Sequence, residues 1–290
     1  MKLFRAWVNG RVVPGAVDAS GVRRDLSAHT ADIRCEALQG EGLKKLQALD
    51  LTALPAIAAD AGLLPPWSDC AQFVAIGLNY ADHAAESNLP IPPEPVVFNK
   101  SIHCRVGPNH DVVLPKGSVK CDWEVELGIV IGSKTRYVEL SQALKHVAGY
   151  CVVNDVSERE YQIERGGLWD KGKGCDTFGP VGPWLVTADE VPDPQQLGMW
   201  LDVNGQRKQT GNTKTMIFGV AELVSYVSRF MTLYPGDIIT TGTPPGVGMG
   251  AKPAPTYLKA GDVIRLGIDG LGQQQQTVYA WDLARIEAMV

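Results

Sequence analysis

No Cys-x-x-Cys pair, no His-Glu-x-x-His segment and no glycine-rich loop ending in Gly-Lys-Ser/Thr occurs in this sequence. The first two absences remove the common zinc signatures, and the third removes a P-loop. No uninterrupted apolar segment is long enough to span a bilayer. Dense Lys/Arg runs are missing too, and 32 acidic against 27 basic residues leave a net charge of -5. That balance favours solubility and argues against a general nucleic-acid binder. The opening Met1-Lys2-Leu3-Phe4-Arg5 lacks the apolar core of a signal peptide, so a cytoplasmic protein is expected. The six cysteines are scattered, which reads as reduced thiols packed in a core. No repeat of fixed period is visible.

What is present suits one large or two modest domains: 290 residues, 45% hydrophobic and 20% charged. A small α/β region is predicted over residues 1–66. It holds a hairpin turning at Asn9-Gly10 and a short helix from Gly42 to Leu49, and Pro65-Pro66 ends it. Residues 67–290 form the larger region, with β-type runs at Val125–Ile131, Val147–Val153, Met199–Val203, Asp237–Thr240 and Val263–Ile268. Asn204-Gly205 and Asp269-Gly270 signal further hairpins. Val220, Leu223, Val224, Val227, Phe230 and Met231 follow a helical period. Strands and helices do not alternate regularly, so the fold class is α+β, mainly β, rather than doubly wound. The run Gln273–Gln276 reads as the solvent face of a late strand.

Asp122-Trp123-Glu124-Val125-Glu126-Leu127 carries the most chemistry. Strand side chains alternate, so Glu124 and Glu126 share a face about 7 Å apart, with Val125, Leu127 and Ile129 on the packing face. Adjacent carboxylates repel unless a cation or basic side chain lies between them. The other reading is a strand end with both groups in water. A third carboxylate, Asp155, closes the apolar run Val147–Val153. Three carboxylates without a Cys/His pattern suit a hard cation, Mg²⁺ or Mn²⁺.

Four motifs in order then resemble the fumarylacetoacetate hydrolase family. They are Gly77-Leu78-Asn79-Tyr80-Ala81-Asp82-His83-Ala84-Ala85-Glu86, the Glu124-Val125-Glu126-Leu127 and Asn154-Asp155-Val156-Ser157 pair, Lys173–Pro180, and Thr241–Gly248. The resemblance spans roughly Phe73 to Ile268. It implies a β-roll catalytic domain, one Mg²⁺ or Mn²⁺ per subunit on Glu124, Glu126 and Asp155, and a homodimer. It also implies His83 as general base oriented by Glu86, with Lys173 neutralising charge on the substrate or oxyanion. Residues three apart on a helical turn share a face, which supports the His83–Glu86 pair independently. Lys171 is the competing lysine, with solvent exposure as its plain role. Tyr80, Arg159, Gln162 and Thr243 match substrate-facing positions, with helix surface the alternative for Arg159 and Gln162. His103 and Arg105 lie in a stretch, Ser101–Arg105, that departs from the family pattern; either they alter the pocket or they point outward.

The implied reaction is hydrolysis of a carbon–carbon bond in a 2,4-dioxo acid, an acylpyruvate, with the cation as electron sink. The stretch Arg165–Cys175 resembles hydrolases of 2,4-diketo-3-deoxy sugar acids derived from L-fuconate or L-rhamnonate, which release pyruvate and lactate. The rivals are a lyase (oxaloacetate decarboxylase or ureidoglycolate lyase), an isomerase or hydratase of a 2-oxo diacid, and a metal-stabilised binding protein.

Overall fold

Val125–Ile131 is buried along its whole length and sits inside an 11-stranded mixed sheet. In the computed structural model, which describes residues 1–86 and 90–289, the strand pairs with Val147–Asn154 on one side and Ile238–Thr240 on the other. Beyond Ile238–Thr240 the sheet continues in parallel to Phe73–Gly77 and then to Val96–Lys100. The sequence pattern leaves one face of Val125–Ile131 polar, yet both faces are covered. Strands Gly198–Val203 and Val263–Ile268 of a second, five-stranded sheet pack against it. A strand enclosed on both faces needs a small residue where chains approach closely. A Cβ on Gly128 would lie 2.7 Å from Cys151 Sγ.

The hairpin signals fall where turn chemistry puts them. Asn9-Gly10 joins Lys2–Val8 to Arg11–Val17 with φ of 48° and 79°, and Asn204-Gly205 repeats this with 52° and 74°. Two consecutive left-handed residues match the twist of the flanking strands. The first predicted helix runs from Gly40 to Gln47. The second spans only Val220–Val227 and leaves Phe230 62% exposed, so the apolar period outlasts the helix.

Gln273–Gln276 is a correction. Gln273 and Gln275 face solvent, but Gln274 and Gln276 are buried. Gln274 donates to the carbonyls of Val152 and Gly182, and Gln276 to that of Pro108. The late strand has a wet face and a face against the large sheet, where amide side chains satisfy backbone oxygens.

The first 66 residues add strands to the same sheet. Leu3 pairs with Leu185, and Leu3, Leu26, Ile33 and Leu38 join the core cluster that holds Val125 and Leu127. Leu3→Ala should therefore cost about 2–5 kcal/mol. Urea denaturation followed by fluorescence should show one transition moved as a whole, not an early phase confined to the first region.

Candidate active site

The floor of the main cleft forms where two strand ends meet. Val125 pairs with Asn154, and Asp155 N donates to Glu124 O at 2.9 Å. That register brings Glu124, Glu126 and Asp155 together, fully buried, with one oxygen of each within 4.8 Å of the others. Outer contacts hold the trio in place. Asn154 Oδ1 accepts from Glu124 N, while Asn154 Nδ2 donates to Gln276. Gly242 N donates to Glu126 Oε2 at 2.9 Å.

Three cations surround these acids. Lys173 Nζ bridges Glu124 Oε2 at 2.6 Å and Asp155 Oδ2 at 2.8 Å. Arg159 reaches Glu124 Oε1 at 2.6 Å and Asp122 Oδ2. Lys100, wholly buried, donates to Asp155 Oδ1 and to the carbonyls of Val156 and Lys173. Burial pushes the Glu124 carboxyl up, but Lys173 and Arg159 outweigh it and hold the group down at about 2. Glu126 has no such partner. Burial, then Asp155 and Glu124, push it well above the carboxylate range.

Counting Asp122, four buried carboxylates face three buried cations, so the cluster is one positive charge short. Three converging carboxylates with only oxygen donors, one of them uncompensated, fit a divalent Mg²⁺ or Mn²⁺ ion.

Beside the floor, the chain turns at Leu78 (φ 53°) into the helix Ala81–Glu86. Asn79 fastens this turn, bonding Phe218 and the Thr241 carbonyl. His83 Nδ1 lies 3.2 Å from Glu86 Oε2, and Gly246 N donates to both Glu86 oxygens. Glu86 is thus anchored while it orients the imidazole, an arrangement that leaves Nε2 as the basic nitrogen.

His83, Glu86, Glu124, Glu126, Arg159, Gln162, Lys173 and Thr243 all line one cleft of about 390 Å³. Arg159 takes Gln162 Oε1, leaving the Gln162 amide NH₂ as a donor at the wall. Thr243 donates to the Val125 carbonyl and receives Gln209 Nε2. Lys171 is exposed and bonds the Arg165 carbonyl, so Lys173 is the lysine of the site. Tyr80 is a correction. It is fully buried below the cleft, its hydroxyl on Met199 Sδ, because the turn at Leu78 directs it toward the second sheet. Neither His103 nor Arg105 lines the cleft. His103 is exposed, and Arg105 donates to the carbonyls of Trp67 and Ser68.

Three site residues escaped the sequence reading. Lys100 shares the buried face of its strand with Phe98, and that alternation was the available signal. Asp122 continues the alternation of Glu124 and Glu126. Gln209, from the second sheet, bonds Val125 N and Thr243, and nothing local to it marks this. Lys100→Met should cost about 3–5 kcal/mol in urea denaturation, because Asp155 and the Lys173 carbonyl lose a buried charged donor.

A buried set of oxygen ligands beside an anchored His–Glu pair, opening on one cleft, is the arrangement of an enzyme. A family model described as fumarylacetoacetate (FAA) hydrolase C-terminal matches residues 72–279. A Burkholderia cenocepacia protein, whose name classes it provisionally as a hydrolase without a substrate, is 60% identical over 277 residues, covering 96% of this chain and 98% of its own. Among solved structures, fumarylacetoacetate hydrolase from Exiguobacterium antarcticum matches with TM-score 0.85 and 36% identity, covering 97% of this chain and 100% of that one. Maleylpyruvate hydrolase from Sphingobium sp. SYK-6, solved with manganese(II) and pyruvate, matches with TM-score 0.80 and 31% identity over 97% and 100%. A 2-hydroxyhepta-2,4-diene-1,7-dioate isomerase from Mycobacterium marinum matches with TM-score 0.77 and 32% identity over 97% and 98%. This chain belongs to the fumarylacetoacetate hydrolase family. Among the described residues, no helix is long and apolar enough to cross a membrane.

Proposed function

We propose that this chain hydrolyses a carbon–carbon bond in a 2,4-dioxo acid of the acylpyruvate type, giving pyruvate and a carboxylic acid. The observation that carries this reading is the convergence of the carboxylate trio, Lys173 and the His83–Glu86 pair on one cleft. A Mg²⁺ or Mn²⁺ ion on Glu124, Glu126 and Asp155 would supply Lewis acidity toward the 2-oxo acid end of the substrate.

The protein groups carry the remaining steps. His83, with Nδ1–H held by Glu86, takes a proton from water at Nε2. The hydroxide formed attacks the distal carbonyl. Lys173 has three N–H donors, two of them spent on Glu124 and Asp155, and the third is available to the oxyanion. Collapse of the tetrahedral alkoxide breaks the carbon–carbon bond and leaves the carboxylic acid. The bonding electrons pass into the 2-oxo group as an enolate, which takes the His83 proton at carbon and becomes pyruvate. Arg159 and Gln162 fix the substrate in the cleft.

The resemblance to hydrolases of L-fuconate and L-rhamnonate derivatives makes 2,4-diketo-3-deoxy sugar acids one arm of the substrate panel. Pyruvate release coupled to lactate dehydrogenase, with Mg²⁺ or Mn²⁺ added, tests the reading. Metal-dependent pyruvate from a diketo acid supports it. Pyruvate from oxaloacetate alone overturns it in favour of a lyase. Double-bond migration in a 2-hydroxydienedioate without pyruvate makes the chain an isomerase, like the M. marinum protein. A cytoplasmic homodimer is part of the same proposal, and light scattering behind size exclusion reads its oligomeric state.

A further inference from the structure

The cleft carries a cation that the reaction above does not use. Arg159 and Lys173 are both spent on buried carboxylates, whereas Lys252 also lines the cleft, at its exposed rim. Among the described residues, nothing takes a hydrogen bond or ion pair from the Lys252 ammonium.

Its position in the chain is fixed. Gly246 N bonds Glu86, and Gly248 N and Met249 N bond the two oxygens of Asp122. Thr256 N then returns to the Gly248 carbonyl and closes the turn that carries Lys252. The turn runs beside the general-base pair, since a Cβ on Gly250 would lie 3.4 Å from Glu86 Oε2. Lys252 is therefore presented on the His83–Glu86 side of the cleft. This is the side from which water reaches the distal carbonyl, and so the side of the acyl half.

Between floor and rim the wall is largely carbon: Phe98, Ile163, Trp169 and Met249. A hydroxylated chain laid there would set polar groups against apolar side chains with few partners. A short carbon chain ending in an anion would bury its carbons on that wall and place its charge at Lys252.

We propose that Lys252 is a specificity-determining residue and that the acyl half of the substrate ends in a carboxylate, making the substrate a dianion. This rests on the acylpyruvate reading, and it disfavours the neutral sugar-acid arm. An ion pair at a cleft rim discriminates between ligands and weakens with salt.

The experiment compares two 2,4-dioxo acids of equal length, one ending in carboxylate and one in methyl, with a 2,4-diketo-3-deoxy sugar acid as the hydroxylated control. Wild-type enzyme should favour the diacid by about tenfold in kcat/KM, with the preference shrinking as salt rises. Lys252→Met should cost the diacid about tenfold, carried by KM, and the neutral acids far less. Lys252→Arg should keep the preference and Lys252→Glu reverse it. Equal losses on all three acids, or a wild-type preference for the neutral ones, overturn the proposal while leaving the hydrolase standing. Should none of the three be cleaved, the acylpyruvate reading falls by itself. Calorimetric binding of 2-oxoheptanedioate against 2-oxoheptanoate then decides the part of Lys252. A diacid advantage lost in Lys252→Met supports it, and equal binding overturns it.

Discussion

Glu126→Gln should abolish metal-dependent turnover while leaving the metal-free protein at least as heat-stable as the wild type. The two halves of this expectation have one cause. Glu126 is 1% exposed, and burial together with Asp155 and Glu124 pushes its carboxyl well above the ordinary range. Without a cation, its ionised form is the uncompensated charge of the cluster, so a neutral isostere removes repulsion. The Gly242 N–H that bonds Glu126 Oε2 still finds an amide oxygen in Gln. With the cation, the loss is direct, because one of three oxygen ligands has lost its charge. Replacing an outer-shell partner of a metal ligand costs about 10–100-fold in affinity, and a ligand itself should cost at least that. Mn²⁺ titration followed by electron paramagnetic resonance and thermal melting with chelator present are the two measurements. Melting well below wild type would mean that Glu126 supports the fold. Unchanged Mn²⁺ affinity would mean that the trio does not hold the ion.

His83→Ala should lower hydrolysis by about 10²–10⁴-fold, the usual contribution of a positioned general base. Any metal-assisted decarboxylation of oxaloacetate should survive the substitution. Decarboxylation needs stabilisation of the enolate but no attacking water, so it does not call on the imidazole. Glu86→Gln should fall in the same direction by less, since the amide can still accept from Nδ1–H while losing its charge. A Gln at this position also keeps an oxygen for Gly246 N, which limits disturbance of the loop. The measurement is kcat for pyruvate release from an acylpyruvate and from oxaloacetate with each variant. Parallel loss of both activities in His83→Ala would contradict a base acting on water. Loss of hydrolysis alone would assign His83 its role.

Much of this site was legible before any coordinates. Glu124 and Glu126 alternate on one strand, Asp155 ends another, and His83 and Glu86 lie three apart on one helical turn. Each of these relations is local, set by the period of a strand or helix. Local periodicity also placed the Asn9-Gly10 and Asn204-Gly205 hairpins, whose left-handed dihedrals glycine and asparagine accept at little cost. It missed where the covering layers lie. The second sheet hides Gln274 and Gln276, turns Tyr80 into a core residue and brings Gln209 to the backbone of Val125.

By itself, then, the sequence determined a mainly β fold, the carboxylates at its strand ends and the imidazole–carboxylate pair. Those features depend on neighbours in the chain, and backbone periodicity links neighbours. Tertiary structure alone decided that Lys100 clamps Asp155 to the Lys173 backbone, that Glu126 lacks a compensating charge, and that Lys252 faces the acyl side of the cleft. Each of these depends on which strands became neighbours and which loop was pinned to them. Burial then sets the energy, because a charge leaves water only where another charge or a hydrogen bond replaces it.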